Sequence, residues 1–379
     1  MKNYAANCSA KSRILCLSQK TIPRYRPRAI RRISSRIQCA MSDVLAGDSG
    51  WILDADLSRG AVATAEEFGK LRVYELPLGG LTHEWSQGAT TYVPGNGGLG
   101  SAKFTPDGQT VASARWWDFA PWAWAWRSGG QPRQLEAGDG FLRRLAVSSD
   151  GATVAAGDST NPVIIWNLSS GKVIEELRRE SDKNYQVTDV RYVTRSSLIA
   201  AASTEGTIRL FDPDVSQQSV RTLGEVGGSP ITSLDVSADG TYLASVSDDR
   251  TVRIWRIPDG KLMQTMDVPQ NTLADVAFSP DGTVVAVGAA DGAVHLWRWR
   301  DNYKLALLQR RGDSVNSVKF FPDGSKIISV SDDGTAPIYP CTHASRSTTY
   351  WRRQTNKTAT ADNAVVREMG CAQWVPART

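Results

Sequence analysis

One short turn sequence recurs along most of this chain at an almost constant spacing. It is an Asp-Gly pair that follows a short apolar segment, and it occurs at 107–108, 150–151, 239–240, 281–282 and 323–324. The last three pairs are 42 residues apart, and weaker copies at 58–60 and 195–197 complete a series of seven. Asp and Gly tolerate the positive φ angle that tight hairpin turns require. A constant period of this length indicates a repeat protein, in which stacking of neighbouring units builds the core.

An aromatic residue recurs in phase with these turns. The seven aromatic residues are Tyr74, Trp124, Trp166, Phe211, Trp255, Trp297 and Tyr339. In the fifth unit, short apolar segments at 231–237, 242–246 and 252–255 are separated by polar turns, and a more polar segment follows at 261–264. Four short strands per unit without helical periodicity predict an all-β fold. No segment of the chain is apolar over the roughly 18 residues that a membrane-spanning helix needs.

Several units resemble WD40 repeats. The segments that carry the resemblance are Ser-Asp-Asp-Arg-Thr-Val-Arg-Ile-Trp (247–255), Ser-Pro-Asp-Gly (279–282), Ala-Asp-Gly-Ala-Val-His-Leu-Trp (290–297) and Ser-Asp-Asp-Gly-Thr-Ala-Pro-Ile-Tyr (331–339). The resemblance covers about residues 42–341 and implies a seven-bladed β-propeller of four-stranded antiparallel blades. The blades are expected to begin near residues 51, 99, 142, 187, 231, 273 and 315.

The resemblance also assigns roles to particular residues. In WD40 repeats, an acidic residue six positions before the aromatic residue stabilises the turn between the second and third strands. Glu205, Asp249, Asp291 and Asp333 occupy this position, so they are predicted to be structural. The seventh unit has only three clear strands, up to Tyr339. Because propellers of this family usually close with an N-terminal strand, residues 42–46 are expected to complete the seventh blade.

Both ends of the chain differ in charge from the body. Residues 1–42 carry ten Lys or Arg and no acid. This composition predicts that residues 1–40 are an organellar transit peptide. Residues 37–40 resemble a plastid processing site, which favours a location in the chloroplast stroma. The alternatives are a mitochondrial leader and a cytosolic protein whose true start is Met41. Residues 342–379 are predicted to form a basic, disordered tail, or to be a gene-model artefact.

The body itself argues against several functional classes. Residues 43–341 contain 28 basic and 37 acidic residues, which disfavours direct nucleic-acid binding. The five Cys lie outside the body or at its last residue, and the three His are scattered, so neither a disulfide-rich fold nor a metal site is expected. No phosphate-binding loop, nucleophile elbow or zinc-protease motif is present. We therefore predict no enzyme activity and no cofactor.

The resemblance to WD40 repeats implies that partners dock on the "top" face of the propeller, which is formed by the starts of the first strands and by the turns between the second and third strands. Trp116 and Trp117 fall in such a turn in blade 2, and Trp is enriched in interface hot spots. Trp122, Trp124 and Trp126 alternate and are expected to share one buried strand face. The other predicted partner contacts are Arg143, Thr188, Thr232, Asp248, Asn316 and Asp332.

These observations together predict a scaffold that binds other proteins within a multiprotein complex, in a plastid or alternatively in the cytosol or a mitochondrion. A hypothesis from another class is a propeller hydrolase or lyase with its site in the central channel. A cluster of perturbed carboxylates or His in that channel would favour the enzyme. An exposed aromatic top face would favour protein binding.

Overall fold

The structure is a computed structural model that describes residues 37–39, 41, 43–46, 50–76, 81–86, 99–115, 118–138, 140–158, 163–177, 186–225, 228–268, 272–308 and 313–343. The chain divides into a compact unit, Met1–His343, and a second unit, Ala344–Thr379, which lies outside the described residues. The predicted transit peptide, apart from 37–39, and all but two residues of the predicted tail also lie outside them. Within the described part, no helix has the length and apolar character needed to cross a membrane.

The described elements are almost all short strands. The first half of the chain contains β1 (Ile37–Cys39), β2 (Asp43–Ala46), β3 (Ile52–Leu57), β4 (Ala61–Glu66), β5 (Lys70–Glu75), β6 (Leu81–Ser86), β7 (Leu99–Phe104), β8 (Val111–Arg115), β9 (Trp122–Trp124), β10 (Arg133–Gln134), β11 (Leu142–Val147), β12 (Thr153–Asp158), β13 (Val163–Asn167) and β14 (Val173–Leu177). The second half contains β15 (Val187–Tyr192), β16 (Ile199–Ser203), β17 (Thr207–Asp212), β18 (Ser216–Glu225), β19 (Ile231–Val236), β20 (Tyr242–Ser247), β21 (Thr251–Arg256), β22 (Lys261–Asp267), β23 (Leu273–Phe278), β24 (Val284–Ala289), β25 (Val294–Arg298), β26 (Tyr303–Leu308), β27 (Val315–Phe320), β28 (Lys326–Ser331) and β29 (Thr335–His343). Single-turn 3-10 helices span Glu67–Gly69, Trp126–Ser128 and Trp299–Asp301.

These strands form seven antiparallel sheets. Blades 1 to 6 are four-stranded sheets of consecutive strands, from β3–β6 to β23–β26, and blade 7 is built on β27–β29. The prediction of an all-β, seven-bladed propeller with four-stranded blades is confirmed. The second strand of a blade is buried on both faces because neighbouring blades cover it, as the fully buried β24 illustrates. The fourth strand is at the rim and is more exposed, as in β22.

The hydrophobic core lies between blades rather than at one centre. Between blades 4 and 5, for example, Ile208 and Leu210 pack against Leu234, Leu243 and other buried side chains of the next blade. Each of seven such clusters joins strands from consecutive blades. Stability therefore depends on an unbroken ring, because each blade buries its faces on two neighbours.

The ring is closed by the N-terminal part of the described chain. Strand β2 pairs antiparallel with β29, with Leu45 opposite Ala336, and Leu45 is buried in the core between blades 7 and 1. Strand β1 pairs with the end of the same strand, with Cys39 opposite Cys341. Residues 43–46 thus take the place expected from the sequence. The pairing of β1 was not expected, because residues 37–39 were assigned to the transit peptide.

The turns between first and second strands on the opposite, bottom face share a hydrogen-bond pattern. In blade 5, the Asp239 carboxylate accepts hydrogen bonds from the Ser237 hydroxyl (2.6 Å) and the Thr241 N–H (3.0 Å). These bonds, the Ser237 bond above all, hold the pKa of Asp239 below its usual value. Gly240 follows with φ of 73°, and a Cβ there would lie 2.2 Å from the Thr194 carbonyl oxygen of blade 4. Glycine is required here by both conformation and space.

The tryptophan-rich segment differs from its prediction. Trp122 and Trp124 lie in β9, but Trp126 begins a 3-10 helix and does not share their strand. Its side chain is completely buried, and its indole N–H donates to the Gly108 carbonyl at 3.1 Å. Blade 6 repeats this arrangement, since Trp299 begins a 3-10 helix and donates to the Gly282 carbonyl at 2.8 Å. The expectation that these side chains are core is correct for Trp124 and Trp126, whereas Trp122 is half-buried.

Candidate functional site at the mouth of the central channel

The first strands of the seven blades surround the central channel. Each carries a register shift near its start, as between Ile231 and Ser233, the first and third residues of β19. The same shift occurs in the first strands of five other blades, and in β11 of blade 3 the shift lies between Leu142 and Leu145, the first and fourth residues. A bulge changes the direction of the side chains beside it. The second, third and fifth residues of these strands consequently make contacts from blade to blade.

The third position carries a ring of acids and hydroxyls. Asp54, Asp189 and Asp275 occupy it in blades 1, 4 and 6, and the following blades carry Ser101, Ser233 and Ser317. Each Asp accepts a hydrogen bond from the serine of the next blade, at 3.0, 3.0 and 2.8 Å. Each Asp also accepts a hydrogen bond from the backbone N–H of the residue that follows this serine, at 3.2, 2.8 and 3.0 Å respectively. This repeated arrangement fixes the rotation of one blade against the next.

Basic side chains neutralise these buried acids. Lys319 donates to Asp275 at 2.7 Å, and Lys103 and Arg191 contact Asp54 and Asp189 in the same way. Arg144 of blade 3 reaches across the channel, and its guanidinium lies 3.3 Å from both Asp275 and Ser233. The side chain of Arg144 thus ties blade 3 to blades 5 and 6 through the centre of the ring.

The network explains the ionisation of the channel acids. Burial opposes ionisation of Asp275, but the charges of Lys319, Arg144 and Arg191 outweigh it and hold the pKa of Asp275 far below its ordinary value. Burial likewise opposes ionisation of Asp54, but the charges of Lys103, Lys319 and Arg144 hold its pKa below the ordinary value. Asp56 and Asp235 occupy the fifth position of their first strands. Burial affects these two acids more than the nearby basic side chains do, so their pKa values are raised.

A cluster of perturbed carboxylates is therefore present in the channel, as the enzyme hypothesis requires. However, Asp54 and Asp275, the two carboxyl groups with lowered pKa, each accept hydrogen bonds from a serine hydroxyl, a backbone N–H and a lysine of the next blade. Asp235 accepts the Phe278 N–H at 2.7 Å, and Asp56 accepts the Phe104 N–H at 2.8 Å. Each of these four carboxyl groups is therefore bonded to a neighbouring blade, which favours a structural role for the cluster.

Above this network, the channel opens on the top face into a pocket of ≈ 490 Å³. Its lining includes Phe141, Leu142, Arg143, Arg144, Thr188, Thr204, Pro230, Ile231, Thr232, Asp248 and Ala274. Arg144 belongs to both the pocket lining and the channel network. We call this pocket the channel mouth. It brings together four of the predicted contacts, Arg143, Thr188, Thr232 and Asp248.

The predicted threonines serve the scaffold as well as the pocket. The Thr188 hydroxyl donates to the Ile231 carbonyl of the next blade at 2.6 Å, and the Thr232 hydroxyl donates to the Leu273 carbonyl at 2.9 Å. Asn316 makes the equivalent bond in blade 7, since its amide donates to the Ile52 carbonyl at 2.9 Å. These three second-position side chains therefore join neighbouring blades at the top face.

Asn316 and Asp332 form a separate pair. The Asn316 amide also donates to the Asp332 carboxylate, at 2.7 Å. Neither residue lines the channel mouth. Arg143 and Asp248 differ from the others because both are exposed while they line the mouth. They are the two predicted residues best placed to meet a partner, and they carry opposite charges.

The other predicted site residues have mixed outcomes. Trp116 and Trp117 lie outside the described residues, so their role stays a prediction. Asp249 accepts the Thr251 N–H at 3.0 Å, Asp291 accepts the Ala293 N–H at 3.1 Å, and Asp333 accepts the Thr335 N–H at 2.9 Å. Each bond closes the turn between the second and third strands. In blade 4 the Glu205 side chain is exposed, and the Ser203 hydroxyl accepts the Thr207 N–H at 3.3 Å instead.

The sequence reasoning missed the channel network and the apolar wall formed by Phe141 and Pro230. Aligning the third and fifth residues of the seven first strands shows the acids, serines and bases, but not which charge pairs with which. No group of three or more His, Cys, Asp or Glu in the described ranges is arranged to hold a metal ion. The channel mouth is thus a pocket with apolar walls and a charged rim.

Comparison with known families agrees with this architecture. The model of the family described as "WD domain, G-beta repeat" matches residues 217–256, 260–298 and 305–339. The chain contains WD40 repeats. Each matched segment comprises the outer strand of one blade and the first three strands of the next, ending in blades 5, 6 and 7, and the structure shows four further blades of the same topology.

The chain is similar over part of its length to several curated proteins, among them WD repeat-containing protein SL1-17 of Schistosoma mansoni, which is 28% identical over 31% of this chain and 38% of its own length. Autophagy-related protein 16 of Arabidopsis thaliana is 29% identical over 167 residues, which cover 44% of this chain and 32% of that protein. Small ribosomal subunit protein RACK1y of Oryza sativa subsp. japonica is 26% identical over 42% of this chain and 48% of its own length. Nuclear distribution protein PAC1 of Gibberella zeae is 28% identical over 40% and 35%. The chain thus spans less than half the length of each of these relatives.

Proposed function

We propose that this WD40 propeller is a non-enzymatic scaffold that binds other proteins at the channel mouth. The observation that carries the proposal is the mouth itself, a pocket of ≈ 490 Å³ with Phe141 and Pro230 in its lining and the exposed Arg143 and Asp248 beside them. Such a volume is large enough for one or more inserted side chains. The charges on the rim would orient a partner and suppress wrong ones.

The rigidity of the floor supports the same proposal. Thr188 and Thr232 are bonded to neighbouring blades, and Arg144 is held by Asp275 and Ser233. A preorganised surface loses little conformational entropy when it binds. One relative is named as a small ribosomal subunit protein, which is a component of a larger assembly. A place in a multiprotein complex is proposed for this chain by analogy.

Charge reversal on the rim tests the proposed surface. Arg143→Glu and Asp248→Lys are each expected to weaken partner capture at least about tenfold, because like charges at an interface rim are repelled. Melting temperatures should be nearly unchanged, since both side chains are exposed. The matched control is Arg195→Glu, which reverses an exposed charge on the bottom face. Equal losses for Arg143→Glu and Arg195→Glu, measured by quantitative affinity capture from the native organism, would contradict the proposal.

We further propose that the acid-free N-terminal segment directs the chain into a plastid. The support is the composition of residues 1–36, which contain all ten basic residues that precede the first acid. Because β1 pairs with β29, cleavage ahead of Ile37 would keep blade 7 intact, whereas cleavage at Ala40 would remove β1. A reporter carrying residues 1–45 is expected to enter plastids and to be shortened there. Uptake by mitochondria, or a full-length cytosolic reporter, would contradict this location.

A further inference from the structure

Cys341 is a residue to which the proposed scaffold function assigns no role. It lies in β29, near the end of the last described strand, and it is disulfide-bonded. The antiparallel register of β1 and β29 places Cys39 directly opposite Cys341. The other cysteines, Cys8, Cys16 and Cys371, lie outside the described residues. We infer that Cys39 and Cys341 form a disulfide that seals the propeller ring.

The strand register suits such a bond. Residues directly opposite each other in an antiparallel pair have Cα atoms about 4.5–5.5 Å apart. Disulfides join residues whose Cα atoms lie about 4.4–6.8 Å apart. Neighbouring residues of the two strands are also in register, with Gln38 opposite Thr342 and Ile37 opposite His343. The backbone therefore brings Cys39 and Cys341 together without any rearrangement of the sheet.

The position of this bond gives it a specific effect. It joins the first described strand to the last, and both belong to the blade that closes the ring. Strand β1 has three paired residues and β2 has four, so the closing strands are short. A cross-link that spans about 300 residues restricts the unfolded chain strongly in the chain-entropy account. The disulfide would hold the two ends of the propeller together even when the closing strands fray.

Formation of the bond requires an oxidant of defined class. The Cys39 and Cys341 thiols lose two protons and two electrons, which reduce one disulfide of a small thiol or a dithiol protein to two thiols. Exchange also needs access to a sulfur atom. Cys341 lies in the wall of a groove of ≈ 390 Å³ between blades 6 and 7. The same groove is lined by Leu296, Phe320 and Ile327. Ring closure would thereby respond to the thiol–disulfide balance of the compartment.

Peptide mapping of the full chain tests the assignment directly. The protein is incubated with oxidised glutathione, free thiols are blocked with N-ethylmaleimide, and the protein is digested with trypsin without reduction. Tryptic peptides 37–59 and 327–346 each contain one cysteine, Cys39 and Cys341. We expect these two peptides to be linked, and dithiothreitol to separate them. A maleimide on Cys341, its glutathionylation, or a link from Cys341 to Cys8, Cys16 or Cys371 would overturn the inference.

Thermal unfolding gives an independent readout. Dithiothreitol is expected to lower the melting temperature of the wild type by about 5–10 °C, the shift typical of losing one disulfide in a chain of this size. Cys39→Ser should remove this sensitivity, whereas the control Cys371→Ser should retain it. A Cys39→Ser protein that still responds to dithiothreitol as the wild type does would contradict the assignment. The inference stands apart from the scaffold function, because neither readout involves a partner.

Discussion

Replacing Asp275 with Asn is expected to lower the free energy of unfolding by about 3–5 kcal/mol, the usual cost of removing one member of a buried ion pair. The Asp275 side chain is completely buried and contacts Lys319, Arg144, Ser233 and Ser317. Asn removes the negative charge and leaves Lys319 and Arg144 without their shared partner. Urea unfolding followed by tryptophan fluorescence measures the change.

The matched control is Asp235→Asn, an identical substitution in the same channel. Burial raises the pKa of Asp235, so its negative charge is not favoured in the folded state. Asn retains an oxygen that can accept the Phe278 N–H. This variant is expected to change stability by less than about 1 kcal/mol. If Asp235→Asn were as destabilising as Asp275→Asn, the assignment of the two acids to different electrostatic roles would be wrong.

The two acids also differ in the sign of their pH dependence. The pKa of Asp275 is lowered on folding. Asp275 therefore stabilises the folded protein above its unfolded pKa of 3.8, and this stabilisation is lost as the pH falls below that value. The pKa of Asp235 is raised on folding. Asp235 therefore favours the folded protein at acidic pH, where its carboxyl group is protonated, and this effect is lost as the pH rises. Asp275→Asn should therefore flatten the acid limb of the stability curve, and Asp235→Asn should steepen it.

Deleting residues 42–47 is expected to lower the melting temperature by at least about 10 °C, because the deletion opens the ring. Strand β2 makes four residue pairs with β29, and Leu45 is buried between blades 7 and 1. Backbone hydrogen bonds at about 1 kcal/mol each and burial of one Leu together contribute roughly 5 kcal/mol. An unpaired edge of β29 would also invite aggregation. Differential scanning fluorimetry measures the shift.

Two single substitutions give the control for this deletion. Leu45 is buried and Val44, its neighbour in the same strand, is exposed. Leu45→Ala should destabilise the protein by about 2–3 kcal/mol, whereas Val44→Ala should have little effect. Deletion of residues 1–36, which precede β1, should leave the melting temperature unchanged. Equal stability of the 42–47 deletion and the wild type would show that β2 does not close the ring.

Much of the fold is encoded locally and was predictable from the sequence. The Asp-Gly turns and the alternation of apolar residues each determine a hairpin within a few residues, as in Asp239 and Gly240 of blade 5. The closing strand was predictable because the seventh unit lacks a fourth strand of its own. Trp126 was predicted less well, since its 3-10 helix depends on a contact with Gly108 in another turn.

The site was predictable only in part, for a physical reason. Position in the repeat indicates which residues reach the top face, and two of these residues, Arg143 and Asp248, line the channel mouth. Their role as partner contacts stays a prediction. Position in the repeat does not indicate which of the top-face side chains find partners within the ring. Thr188, Thr232 and Asn316 bond to carbonyl groups of the next blade, and Arg144 pairs with an acid three blades away. Such pairings depend on the curvature of the closed ring.

Site-specific photo-crosslinking tests the proposed binding face most directly. A p-benzoylphenylalanine is placed at Asp248, which lines the channel mouth, or at Gln109, which is exposed in a bottom-face turn. Both proteins are illuminated in an extract of the native organism, and crosslinked products are identified by mass spectrometry. We predict a discrete crosslinked protein from position 248, lost when Arg143→Glu is added, and no such product from position 109. A partner captured from position 109 alone, or equally from both positions, would contradict binding at the channel mouth.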